Sequence, residues 1–163
     1  MATPADYTSD ELAKIAGGVM VSGMAISMVD VGIVSTAIEA AALAKEVAGA
    51  SKKYPNNSII QGLFSQEAIE KAKAQPPAKI ELKPEDLKPD TAVDTAIKAV
   101  NEALAILNVK ATPEEVAEYK QFIYSAAEQV AQAAGEGLFG TGATKVSSTE
   151  AAALAKLKAS LGI

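Results

Sequence analysis

Carboxylates, lysines, tyrosines and serines are the residues of this chain that can do chemistry. Its 163 positions contain no Cys and no His, and all of its cations are lysines because no Arg occurs. Without Cys there is no thiolate nucleophile, no disulfide framework and no Cys-built zinc or iron–sulfur site. Without His the usual general base near neutral pH and the commonest transition-metal ligand are missing. Ser–His triads and the Glu-x-x-His pairs of di-iron bundles go with them. The absent Arg removes the planar fork that reads phosphate, carboxylate and guanine in bidentate fashion; lysine offers only a point charge.

The groups that remain form no catalytic pattern. Glu114, Glu115 and Glu118 crowd what reads as the first turn of a helix, where the dipole favours negative charge. A calcium loop would need an alternating D-x-D-x-D-G pattern that does not occur. Tyr119 and Tyr124 could act as acids, but nothing around them suggests activation. Asp30 interrupts an apolar run and reads as a helix cap at a kink. Residues 135–140 (GEGLFG) have the spacing of a dinucleotide phosphate loop but follow a helical pattern rather than a strand. Ala143 and Thr144 separate Gly142 from Lys145 and break any Walker loop. No catalytic residue, metal ligand or cofactor is assigned, and the expectation is a non-enzymatic protein.

Two apolar features are candidates for binding. Met20, Met24 and Met28 recur at four-residue spacing. They fill a core, or they line a pocket for an apolar ligand or partner helix, because thioethers adapt to varied shapes. Leu138 and Phe139 are flanked by glycines, so they either tuck into the core or form a docking tip for another chain.

Helices must position these groups. Residues 8–11 (TSDE), 112–115 (TPEE) and 147–150 (SSTE) are capping boxes, in which a hydroxyl and a Glu three residues on satisfy each other's free amides. The first opens a helix with Leu12, Ile15, Val19 and Met20 on one face, and a break is expected at 30–32. A second helix runs to about Val47 and closes at Gly49. Asn57 or Ser58 caps a short helix, which Ser65 restarts. Residues 75–90 hold four of the seven prolines and read as a connector. From Asp90 or Thr91 a helix carries Val93, Ile97, Val100, Leu104 and Leu107 inward. The next, opened by Thr112, buries Val116, Tyr119, Ile123, Ala127 and Val130, and the last closes at Leu161 and Gly162. No stretch alternates like a strand. The fold class is all-α, a single-domain bundle of about five to seven helices.

The two ends of the chain echo each other. TSDELA at 8–13 matches TPEEVA at 112–117, and EAAALAK stands identically at 39–45 and 150–156. Shared helix vocabulary explains such matches by chance; a duplication would make two helical hairpins, 8–50 and 112–162. These would pack into a four-helix core with the middle segments at its sides. With 34 alanines and 4% aromatics, helices can approach closely, and Gly17, Gly18 and Gly23 mark the expected tight crossings.

Charge sets the partners. At a net charge of −5 and a pI near 4.8, the chain repels nucleic acid and anionic membranes at long range. Residues 15–29 are uncharged, but a span needs ~20 apolar residues, and this run is ended by Asp30 and diluted by Gly and Ser. A buried core helix is expected rather than a membrane segment. No basic leader pattern opens the chain, so a cytoplasmic location is expected. The partners expected are a second copy of the chain, as a homodimer or larger, or another protein. The alternative is carriage of an apolar or lipid-like ligand in the bundle core.

Residues 112–137 and 145–163 together resemble the tellurite-resistance type of bacterial helical domain. The likeness lies in a helix reaching an A-x-G-E turn, a V-S-x-x-E cap and a short helix ending in LG. That resemblance implies acidic residues near the turn associated with metal binding. Here only Glu136 and Glu150 stand there, and GLFGTGATK (137–145) intervenes, so no metal site is carried over.

Overall fold

The computed structural model describes residues 3–29, 33–75, 81–135 and 146–163. Among these are seven α-helices and no strand: α1 Ser9–Val29, α2 Ile33–Lys53, α3 Ser58–Phe64, α4 Gln66–Ala74, α5 Ala92–Lys110, α6 Pro113–Gly135 and α7 Ser148–Leu161. Short 3-10 turns at Pro4–Asp6 and Pro84–Leu87 precede α1 and α5.

Local chemistry sets the helix starts. Thr8, Thr112 and Ser147 each accept from the amide of a Glu three residues on, whose carboxylate accepts from the cap's own amide in return. Asn57 caps α3 through the Ile60 amide, and Ser65 caps α4 through that of Ala68. Gly162 closes α7 at φ +67°, a left-handed conformation that suits glycine, and its amide reaches the carbonyls of Lys158 and Ala159.

Packing centres on α1, which lies against α5 and α6 together, while α2 covers another face of α6. α1 and α5 run antiparallel: Lys110 meets Glu11, Gly18 faces Ala103, and Val21 and Ala25 cluster with Ala92 and Ala96. Small residues make this crossing close. A Cβ on Gly18 would stand 2.5 Å from the Tyr119 hydroxyl, and one on Gly23 would stand 2.6 Å from Leu43. Larger side chains fill the other side, where Phe122 meets Phe64 edge-on at 5.1 Å and Tyr54 at a tilt at 6.0 Å. Such ring pairs add about 0.5–1.5 kcal/mol beyond area burial and tie α6 to α3 and α2.

Four expectations are corrected. α2 does not close at Gly49 but runs to Lys53, because Ala50 and Tyr54 continue its buried row and Lys53 pairs back with Glu46. α5 is no side cover: Val100, Ala103, Leu104 and Leu107 belong to the main core. The first expected hairpin is loose, with α1 lying mainly on α5 and α6 and α2 mainly on α6, whereas α7 of the second keeps α6 as its fullest contact. Finally, Met20 is not on the inward face. It is 40% exposed, because α5 and α6 claim two arcs of α1 and Met20 lies in the arc left over. Asp30 and its break, Leu138 and Phe139 lie outside the described residues.

α1 is long and apolar enough to cross a membrane by length and composition, and 61% of its most apolar window is buried within the bundle.

Candidate functional site

The polar side chains that the fold brings together hold helices in place. Ser125, Lys53 and Glu46 come closest to a nucleophile with a base. The Lys53 ammonium lies 2.7 Å from the Ser125 hydroxyl, and both donate to Glu46, at 2.9 and 2.7 Å. The charge states run against activation. Burial lowers the Lys53 pKa, but the hydrogen bond it donates to Glu46 and the negative charge of that carboxylate together outweigh it and leave the amine above its ordinary value, hence protonated. Burial raises Glu46, yet its bonds from Ser125 and Lys53 hold it below the ordinary carboxylate value. A cationic lysine cannot take the serine proton, so the trio is a clamp between α2 and α6.

Further polar contacts join the start of α3 to the start of α6, and the start of α1 to the end of α5. Asn57 is fully buried and donates to the Glu115 carbonyl and the Glu118 carboxylate, while Ser58 donates to Glu115 at 2.6 Å. Lys110 donates to both Glu11 oxygens and to the Asp6 carbonyl, and it stands 4.9 Å above the Tyr7 ring. The segment ahead of α1 is thereby strapped across the bundle. Pro4 lies where a side chain on Gly62 would otherwise stand.

Tyr119 and Tyr124 are not activated either. The Tyr119 hydroxyl donates to the Ile15 carbonyl at 2.6 Å, and burial raises its pKa. Tyr124 lies half-buried beneath Lys158. Of the Met row, Met24 and Met28 are half-buried, and Met28 packs against the Val21–Ala25–Ala92–Ala96 cluster. Among the described residues no three carboxylates gather closely enough to hold a metal ion. Glu150 is taken by the α7 cap, and Glu136 lies outside the described residues.

What stays open is a groove. α4 buries none of its residues and leans on α3 with few contacts to α2, so a furrow remains between it and α1. Leu12, Ala16, Leu63, Ala68 and Ala72 make its walls, Pro4 closes one side, and its volume is about 530 Å³. A second, more polar chamber of about 580 Å³ adjoins it, with Ser58, Gln61, Ser65 and Glu67 in its walls. Gly62, Ala68 and Lys71 belong to both chambers. The Lys71 ammonium makes no hydrogen bond or ion pair with any described residue. Sequence reasoning did not anticipate this site, since its walls are ordinary Ala and Leu positions drawn from separate helices.

Comparisons with protein-family models, curated proteins and solved structures give no match.

Proposed function

We propose that the chain is a non-enzymatic helical binding module whose working surface is the groove between α1 and the α3–α4 arm. The observation that carries this reading is an open, largely carbon-lined furrow between α1 and the α3–α4 arm. Its volume of about 530 Å³ lies within the ~300–1,000 Å³ usual for small-ligand sites. The reactive side chains of Lys53, Ser125 and Ser58, by contrast, are occupied in holding helices together. On this reading an apolar ligand belongs at the groove rather than in the bundle core or on the Met row.

Self-association is the second reading. Met20, Val109 and Ile163 are exposed large apolar residues, and a second copy could cover them.

Native mass spectrometry of the protein purified gently from its own cells separates the two, with Ala72→Trp as the blocked-groove control. An extra mass that disappears on denaturation and is depleted in the variant is the expected result. A bare monomer in both proteins overturns both readings, and a bare dimer in both selects self-association.

A further inference from the structure

The two chambers differ in character and meet at a single charged side chain. One is walled by Leu12, Ala16, Leu63 and Ala72; Ser58, Gln61 and Ser65 edge the other, with their polar groups already bonded to Glu115, to the Ser51 and Tyr54 carbonyls and to the Ala68 amide. A ligand lying along the apolar walls therefore meets the Lys71 ammonium where the two adjoin. Like several other surface lysines, Lys71 has no ion partner among the described residues; its place at the junction is what sets it apart. Glu67 is the one acidic residue in the walls, and it belongs to the polar chamber alone.

Resting on the binding-groove reading above, we propose that the groove binds a free single-chain carboxylic acid, with its alkyl tail against Leu12, Ala16 and Leu63 and its carboxylate on Lys71. The tail gains from leaving water in proportion to the apolar area covered. The head gains a charge-assisted hydrogen bond at the groove mouth. A singly charged head suits this wall better than a phosphate, because one lysine supplies one point charge and the chain has no arginine to grip a dianion.

The test titrates isotope-labelled protein with dodecanoate below its micelle-forming concentration, at neutral pH and low salt, and follows the backbone amides by NMR. Saturable shifts confined to Leu12, Ala16, Leu63 and Ala72 and their neighbours are expected. Dodecanol should shift the same amides with weaker affinity. Lys71→Gln should weaken dodecanoate roughly fivefold, as expected for one exposed charge pair, and leave dodecanol unchanged. Equal affinities for dodecanoate and dodecanol would overturn the carboxylate inference while the groove reading survives. No groove shift with either probe would sink both. Shifts appearing only with phosphatidylglycerol vesicles, and not with free dodecanoate, would overturn the inference in favour of a membrane surface.

Discussion

The Tyr119 hydroxyl occupies the space that a side chain on Gly18 would need. It donates to the Ile15 carbonyl at 2.6 Å, and an added Cβ on Gly18 would come within 2.5 Å of it. The missing side chain on α1 and the bulky one on α6 are two halves of one fit.

That fit is tested by a double-mutant cycle. Gly18→Ala should destabilise by about 1–3 kcal/mol through overpacking, despite the better helix propensity of Ala. Tyr119→Phe should cost about 1 kcal/mol for the lost hydrogen bond. Combined, they should cost clearly less than the sum, since the next obstacles are Ala103 Cβ at 3.3 Å and Tyr119 Cζ at 3.7 Å. Additive urea midpoints would sink the account.

Gly62→Ala should dislodge the N-terminal strap, because the new methyl takes the place of the Pro4 ring. Exchange should quicken at the Asp6 and Tyr7 amides, which bond to Thr3 and Pro4 carbonyls, with a global loss of only about 1 kcal/mol. Unchanged exchange there would show that Pro4 is not held by this contact.

Asn57 does three jobs, capping α3 and donating to both the Glu115 carbonyl and Glu118. Asn57→Ala should therefore cost about 2–3 kcal/mol, combining a cap with stranded buried acceptors. Asn57→Asp keeps the cap acceptor but loses the donors and sets a second carboxylate against Glu118. A thermal melt in which the Asp variant matches wild type would refute the role of the donors.

Acid should unfold the protein through Glu115 and Glu11. Burial raises the Glu115 pKa, but hydrogen bonds from Ser58 and Thr112 outweigh it and hold the group below its ordinary 4.5. Glu11 is held low by Lys110 and then by the Thr8 amide. With folded values depressed, the unfolded chain takes up these protons first. The stability they confer is complete above about pH 4.5 and is lost as pH falls through the lower folded values. Glu115→Gln should reduce stability at neutral pH and flatten that slope; a slope equal to wild type would remove Glu115 from the explanation.

Legibility followed locality. The three Ser/Thr–Glu capping boxes lie within four residues each, so Thr8, Thr112 and Ser147 could be read directly, as could the inward Val116, Tyr119 and Ile123 of α6. Gly49 misled because a glycine stops a helix only when nothing beyond it is buried, and Ala50 and Tyr54 are buried. Met20 misled because a one-face pattern cannot describe a helix buried along two arcs. The groove was invisible for a related reason. Leu12 and Leu63 line one groove only because the α3–α4 arm comes to stand beside α1, and no spacing rule encodes that placement.

The placement of α1 has a cost during synthesis. This very apolar helix is made well before its partners α5 and α6, which are complete only at residue 135. At ~5–20 residues per second, more than a hundred residues must follow, so α1 waits on the order of 5–20 seconds without its neighbours. Its contacts are long-range, which slows folding relative to a bundle of adjacent hairpins. The nascent chain is thus prone to aggregation at α1, and completion of α6 is the event that ends the exposure.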